Sequence, residues 1–173
     1  MTRIIGIVGK LQSGKSTSFN FIKEIYPDCI KLSFGDLLKQ MILNAGLCTR
    51  EELWEKKTEF SRLMLQKIGT EIIRKQVDDN YWVKKMSEKL INIGRENKDS
   101  LIIIDDVRFF NESQLIKSYG GSLIRIIRPG LEQNKKENLH LSETEQDLIK
   151  VDFEINNDSD LYKLKNEIFK ILM

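Results

Sequence analysis

The 173-residue sequence predicts a three-layer α/β fold, in which about five parallel strands lie between two layers of helices. Short apolar runs alternate with stretches of helical periodicity along the chain. A glycine-rich segment, G-x-x-x-x-G-K-S, connects the first apolar run to the first helical stretch. Because parallel strands need a crossover between them, this alternation indicates a single domain over residues 1–173.

The first elements have clear boundaries in the sequence. Residues 3–8 form an almost uninterrupted apolar run, which is typical of a strand buried on both faces. Residues 15–25 have helical periodicity, and Pro27 ends that helix. Residues 29–34 alternate like a second strand, and Gly35-Asp36 then opens a second helix.

A helical insert is expected over about residues 46–94. Thr49 and Glu52 have the spacing of a capping box, and apolar positions then predict one helix continuing to about Arg74. Asp78 or Asp79 can cap a second helix. The stripe of the first helix comprises Leu53, Phe60, Met64 and Ile68. The apolar face of the second comprises Trp82, Val83, Met86, Leu90 and Ile91.

The second half of the chain returns to alternating elements. The predicted order is a central strand at 101–104, a helix at 110–119, a strand at 123–127, a last strand at 151–155 and a terminal helix at 161–172. Residues 129–147 are polar and lack apolar periodicity. We therefore expect a mobile lid there.

Composition excludes several classes of function. Lys plus Arg number 28 and Asp plus Glu number 26, so a net charge of +2 gives no strong field for nucleic acid or an anionic membrane. No apolar run approaches the ~20 residues of a membrane span. Cys29 and Cys48 lack metal-ligand spacing and are too few for a disulfide framework. We expect a soluble, cytoplasmic protein.

The glycine-rich segment predicts a phosphate loop that binds ATP with Mg²⁺. It lies between a predicted strand and a predicted helix, the context that a P-loop requires. Backbone N–H groups would converge on the phosphates, Lys15 would neutralise the β and γ phosphates, and the Ser16 hydroxyl would ligate Mg²⁺. The residues expected to contact ATP are Gly9, Gln12, Ser13, Gly14, Lys15, Ser16 and Thr17.

Charged residues follow the predicted central strand. Ligands of open α/β sheets gather at the carboxyl ends of strands, so Asp105 or Asp106 is expected to face the phosphate loop. One would act on the metal side or orient the acceptor, and strand alternation leaves open which. Arg108 either clamps an acceptor phosphate or forms a surface salt bridge. Arg128 is the candidate for a cation at the transferring phosphoryl group, with Arg125 and Lys135 or Lys136 behind it.

With these residues in place, the chain resembles the phage-type deoxynucleoside monophosphate kinases from its first strand to its last helix. The most diagnostic segment is R-x-x-x-Q-x-x-G-T-E leading to D-x-x-Y-W-V, which is not generic to phosphate-loop proteins. The likeness rests on residues 9–17, 32–39, 62–84, 105–112 with 120–129, and 155–158.

The resemblance implies a P-loop NTPase fold of the nucleoside monophosphate kinase type, in which the insert binds the acceptor. ATP and a deoxynucleoside monophosphate would give ADP and the diphosphate. Asn157 would lie near the adenine, and His140, Ser142 and Glu143 echo a lid motif of the family. Acceptor contacts are expected from Phe34, Lys39, Arg62, Gln66, Thr70, Trp82, Asp106 and Arg108.

Some physical expectations qualify that resemblance. Arg62, Gln66 and Thr70 are four residues apart and would share one face of a helix. Trp82 either stacks on a base or belongs to the core.

The sequence is also compatible with other functions. A related kinase for phosphomevalonate or dephospho-coenzyme A would share the loop, and so would a nucleotide-binding switch without turnover. Base preference is undetermined. The oligomeric state is also open, with a homodimer as one option.

Overall fold

The structure is a computed structural model that describes residues 2–96, 99–130 and 144–172. Its strands are β1 (Arg3–Val8), β2 (Ile30–Leu32), β3 (Leu101–Val107), β4 (Ser122–Ile127) and β5 (Phe153–Asn156). Its α-helices are α1 (Lys15–Ile25), α2 (Gly35–Asn44), α3 (Glu59–Gln66), α4 (Tyr81–Glu96), α5 (Phe110–Ser118) and α6 (Leu161–Leu172). Two π-helical segments (Glu51–Glu55 and Lys67–Val77) and a 3₁₀ turn (Glu145–Leu148) complete the described elements.

The chain forms two compact units. One, here called the sheet unit, comprises Met1–Ser33 with Leu90–Met173, and the other, the helical unit, comprises Phe34–Lys89. The insert predicted over about residues 46–94 therefore corresponds to a unit that also takes in α2.

All five strands of the sheet unit are parallel and lie in the order β2-β3-β1-β4-β5. The predicted number and direction of strands are confirmed. The register of β1 and β3 shifts near its end, since Gly6 pairs with Ile104 but Val8 pairs with Val107. Such an irregularity re-aims the side chains that follow it, and here these belong to the charged end of β3.

A core of aliphatic side chains holds α1 and α6 on one face of the sheet. Ile5 and Ile103 in the central strands are both fully buried. Alternation of side chains along the strands explains why every second residue joins this core. Its buried members are Ile5, Ile7, Phe19, Ile22, Cys29, Ile103, Ile124, Ile126, Ile155, Leu164, Ile168 and Leu172.

Helix α5 packs on β1 and β4, on the face of the sheet opposite α1. Its Ile116 lies over Gly6, where a side chain would collide with it. The neighbouring strands β1 and β3 are thus followed by different helices, α1 and α5, on opposite faces of the sheet. This is the topological switch point at which open α/β sheets bind ligands, beyond the carboxyl ends of the strands. The fold therefore directs a site to residues 9–14 and 105–108.

Several strand boundaries differ from the predicted ones. β2 is shorter than residues 29–34, β5 covers 153–156 rather than 151–155, and β3 extends through both aspartates to Val107. Of the expected lid, residues 131–143 lie outside the described part of the chain. Among the described residues, no helix is long and apolar enough to cross a membrane.

The single long helix predicted up to Arg74 is wrong. The first helical segment ends at Glu55. Helix α3 begins after Thr58, its N-cap, whose hydroxyl accepts a hydrogen bond from the Ser61 N–H at 3.1 Å. Phe60, predicted to be in the apolar stripe, is 51% exposed. A second N-cap inside the stripe explains the break, because it satisfies backbone donors that a continuous helix would bond internally.

The predicted capping box is confirmed. The Thr49 N–H donates to Glu52 Oε2 at 2.8 Å, and the Glu52 N–H donates back to Thr49 Oγ1 at 3.3 Å. Hydrogen bonds from the N–H and hydroxyl of Thr49 hold the pKa of the Glu52 carboxyl below its ordinary value.

Candidate active site

The phosphate loop joins β1 to α1 through a backbone that few side chains permit. Gly14 has φ of +111°, and Gln12 is a non-glycine residue at φ +64°. A Cβ on Gly9 would lie 2.7 Å from the Ile126 carbonyl oxygen. Backbone strain of this kind is characteristic of ligand-binding loops.

Lys15 lies in the first turn of α1 and turns back onto the loop. Its ammonium donates to the carbonyl oxygens of Gly9 and of Lys10, the latter at 2.7 Å. The positive charge of Lys15 is thereby held at the phosphate loop, where it would contact an anion that the loop binds.

Ser13 has a buried hydroxyl that lacks a partner. Its side chain is 1% exposed, and no hydrogen-bond partner for Oγ exists among the described residues. A buried polar atom left unpaired costs free energy, which a phosphate oxygen would recover by accepting a hydrogen bond. With the nearby ammonium, this atom fits a triphosphate. Ser16 is exposed and Thr17 is half-buried in the first turn of α1.

Asn157 braces the phosphate loop. Its side-chain amide donates to the Ser13 carbonyl oxygen at 2.9 Å, and its backbone N–H continues the β4–β5 pairing to Ile127 at 2.7 Å. The family resemblance implies a position near the adenine. In the structure the amide ties the phosphate loop to the end of β5, and the position near the adenine stays a prediction.

We expect Gly14→Ala to weaken ATP binding by roughly fivefold to a hundredfold, because the left-handed backbone costs a side chain about 1–3 kcal/mol. The new Cβ would also lie 2.6 Å from Asn157 Nδ2. Calorimetric titration with ATP measures the effect. Gly46→Ala is the matched control, since Gly46 has φ of +69° but open space around it. Equal ATP affinity in wild type and Gly14→Ala would contradict the prediction.

Asp105 lies on the α1 side of the sheet. Its Oδ2 is 2.7 Å from Lys31 Nζ, and that ammonium also lies 4.8 Å from the ring centroid of Phe19 in α1. Sequence reasoning missed Lys31, because a lysine at an alternate position of a strand resembles an ordinary surface residue. Asp106 is half-buried and follows it in β3.

Ser16 and Asp105 are the residues predicted to hold Mg²⁺. No group of three or more His, Cys, Asp or Glu side chains that could hold a metal ion exists in the described ranges. This donor set still suits Mg²⁺, which usually binds one or two carboxylates together with waters and substrate phosphates.

Arg108 is fixed through its backbone. Its N–H donates to Glu112 Oε2 at 2.8 Å, and the Phe109 N–H reaches the same oxygen at 3.2 Å. Glu112 is 3% exposed, so this buried carboxylate orients the turn that carries the guanidinium. Sequence reasoning missed Glu112, although a glutamate in the first turn of a helix after a strand is a capping signal.

Arg125 in β4 and Arg128 directly after β4 have different contacts. Arg128 is exposed directly after β4 and forms no ion pair with any residue that the structure describes. Arg125 pairs with Glu154 at 3.1 Å and donates to the Gln146 carbonyl oxygen at 3.1 Å. These contacts hold Arg125 against β5 and the 3₁₀ turn, and its expected place behind Arg128 stays a prediction.

The last residues of the expected lid are held at the site by two contacts. Glu145 Oε1 accepts from the Phe110 N–H at 3.0 Å, and Asp147 pairs with Lys10 of the phosphate loop at 3.2 Å. The lid residues Lys135, Lys136, His140, Ser142 and Glu143 lie outside the described residues.

The polar residues expected on the insert differ in exposure. Arg62 is exposed, Gln66 is half-buried, and Thr70 is 5% exposed. The helix changes to π-helical hydrogen bonding at Lys67, which widens the turn. Long π segments are rare, and π-bulges are frequent at functional sites.

Two aromatic residues expected at a base-binding surface are buried. Phe34 is 6% exposed and Trp82 is 5% exposed. The Trp82 Nε1–H donates to the Gly69 carbonyl oxygen at 3.0 Å, and its ring packs edge-on against Tyr81 at 4.8 Å. Of the two alternatives for Trp82, the structure supports the core. Trp54, which sequence reasoning missed, is the half-exposed tryptophan of this unit.

Comparison with known proteins gives a consistent family. Residues 47–168 match the family described as deoxynucleotide monophosphate kinase. A provisionally named deoxynucleotide monophosphate kinase of Acanthamoeba polyphaga mimivirus is 30% identical over 165 residues, 85% of this chain and 83% of the relative. The deoxynucleotide monophosphate kinase of Enterobacteria phage T4 is 28% identical over 107 residues, 62% of this chain and 43% of the phage protein.

The fold also has solved counterparts. Dephospho-CoA kinase from Campylobacter jejuni aligns with a TM-score of 0.55 and 19% identity, covering 99% of this chain and 96% of that protein. At this identity the likeness establishes the three-layer kinase fold alone.

Proposed function

The chain belongs to the deoxynucleotide monophosphate kinase family, and from this premise we propose that it transfers the γ-phosphoryl group of ATP to a deoxynucleoside monophosphate. An oxygen of the acceptor phosphate forms the new bond to the γ-phosphorus. The bond from that phosphorus to the β–γ bridging oxygen breaks, so ADP leaves and a deoxynucleoside diphosphate forms.

The observation that carries the proposal is the phosphate loop. Its buried, unpartnered Ser13 hydroxyl and the Lys15 ammonium lie together at the topological switch point of the sheet. A loop that served only as a turn would leave no polar atom buried without a partner.

Phosphoryl transfer depends on positioning and charge neutralisation, and the chain supplies both. Lys15 offsets charge on the β and γ phosphates, while Arg128 contacts the transferring group. Arg108 binds the acceptor phosphate, and Asp106 orients the acceptor. Ser16 and Asp105 would hold Mg²⁺, which would supply positive charge for the phosphates of ATP.

Residues of the helical unit are proposed to bind the acceptor. Lys39 lies 3.1 Å from Asp36 and presents an ammonium for the monophosphate. Arg62 and Gln66 offer polar contacts from α3. Thr70 lies at the buried end of the same set, where its hydroxyl can support the others.

Arg108→Ala tests the acceptor assignment. We expect the KM for the deoxynucleoside monophosphate to rise by roughly tenfold or more, because hydrogen bonds to charged groups contribute about 1.5–3 kcal/mol. The KM for ATP should stay unchanged. Steady-state kinetics with each substrate varied in turn measures both KM values. An equal rise in the KM for ATP and in the KM for the acceptor would show that Arg108 does not act specifically at the acceptor.

A panel of acceptors separates the proposed function from its rivals. Turnover of ATP with dAMP, dCMP, dGMP, dTMP, AMP, phosphomevalonate and dephospho-coenzyme A identifies the substrate class and the sugar preference. Turnover with phosphomevalonate or dephospho-coenzyme A alone would overturn the proposal, and binding of ATP without turnover of any acceptor would favour a nucleotide-dependent switch.

We also propose a cytoplasmic location, with nucleotides as the binding partners. Both cysteines are buried free thiols, as expected in a reducing compartment.

A further inference from the structure

We propose that Arg50 and Trp54 complete the phosphate-binding end of the acceptor site around Lys39. The inference rests on the proposed function and extends it to two residues of the helical unit. Arg50 would bind the acceptor's phosphate directly, and Trp54 would be a positioning residue that holds both cations.

The geometry brings two cations to one aromatic ring. Lys39 Nζ lies 5.5 Å from the Trp54 ring centroid, and Arg50 Cζ lies 5.3 Å from it. Lys39 comes from α2, whereas Trp54 belongs to the π-helical turn Glu51–Glu55 and Arg50 immediately precedes that turn. Two separate parts of the chain therefore place positive charges at a single half-exposed indole.

The two cations differ in what else binds them. Lys39 has a carboxylate partner, Asp36, and its side chain is only 14% exposed. Arg50 is exposed, and within the described residues its guanidinium has the Trp54 ring as its contact and no carboxylate. Like charges gathered at one ring repel each other, so an anion bound near both would lower the energy of the cluster.

A phosphate monoester matches this arrangement. Near neutral pH such a phosphate carries between one and two negative charges and three acceptor oxygens. A guanidinium resting on an aromatic face keeps its edge N–H groups available, and those groups fit two phosphate oxygens. The ring reduces the entropy that the long arginine side chain would lose on binding.

The position of the tryptophans makes the inference measurable. The chain has two tryptophans, Trp54 half-exposed and Trp82 5% exposed with its N–H already bonded. A ligand that binds beside Trp54 should change the fluorescence of that residue and leave the buried one unchanged.

The test compares Arg50→Gln and Trp54→Leu with wild type. Lys85→Gln serves as the charge-matched control, since Lys85 pairs with Glu88 in α4. Calorimetry and tryptophan fluorescence follow the binding of a deoxynucleoside monophosphate, of the same nucleoside without phosphate, and of inorganic phosphate. We expect Arg50→Gln to weaken monophosphate binding roughly tenfold to a hundredfold and to leave nucleoside binding unchanged.

Trp54→Leu should lose the fluorescence change that the nucleotide induces and weaken the monophosphate roughly several-fold, in line with a contact worth about 1 kcal/mol. Lys85→Gln should behave like wild type. Unchanged monophosphate affinity in Arg50→Gln would overturn the inference. The proposed function would still stand if the wild-type protein turned over a deoxynucleoside monophosphate. Absence of turnover with every deoxynucleoside monophosphate would instead overturn the proposed function. If Trp54→Leu does not fold, Arg50→Gln decides alone.

Discussion

Replacing Lys15 by alanine should lower turnover by at least about a hundredfold while the fold persists, because the ammonium is a charge contact to the transferring phosphoryl group. In the structure this ammonium donates to two backbone carbonyl oxygens of the loop, and both belong to residues that precede α1. Single-turnover kinetics with saturating ATP and acceptor measures the chemical step.

Two further variants sharpen that test. Lys15→Arg keeps the charge but changes its geometry, and we expect it to recover only part of the activity, since a planar guanidinium cannot replace a compact ammonium in a tight loop. Lys165→Ala removes a lysine of α6 that pairs with Glu24, and it should retain full activity. Wild-type turnover in Lys15→Ala would exclude Lys15 from the mechanism.

The sheet unit was predictable because its signals are local. Five apolar runs separated by helical stretches define a parallel sheet, and a glycine-rich loop after the first run has one known structural context. The order of the strands follows from the crossover rules only in part. Contacts between distant residues were not predictable, such as Asn157 with the Ser13 carbonyl oxygen or Lys31 with Asp105.

The helical unit was harder to predict for a physical reason. Apolar periodicity cannot reveal where hydrogen bonding changes from α to π, because the pattern stays nearly regular while the turn widens. Thr58 has a side chain that can cap a helix, but the apolar stripe predicted a helix that continued through it. The face shared by Arg62, Gln66 and Thr70 stays a prediction, because the spacing of four was read for an α-helix and Thr70 lies in the π-helical segment.

Aromatic residues show the limit of residue type as a guide to function. Sequence alone left Trp82 between a base-binding and a core position, and only its burial and the bond to Gly69 distinguish them. Trp54 carries no motif, yet it is the tryptophan with exposed surface and cationic neighbours.

Trp82→Ala should lower the free energy of unfolding by about 3–5 kcal/mol, the range for deleting a large buried aromatic side chain. The substitution opens a cavity and leaves the Gly69 carbonyl oxygen without its indole donor. Urea denaturation followed by circular dichroism measures the loss. Trp54→Leu is the matched control and should cost less than about 1 kcal/mol, because its ring is half-exposed.

Trp82→Phe separates a structural role from a base-stacking role. Phenylalanine keeps an aromatic face but lacks the N–H donor, so a structural tryptophan predicts a loss of roughly 1–3 kcal/mol in unfolding free energy, from the unpaired carbonyl and the smaller ring. The KM for the acceptor should then stay near the wild-type value in the folded enzyme. A stable Trp82→Phe protein with a raised acceptor KM would show that the ring contacts the base. That result would contradict a purely structural role for the buried Trp82.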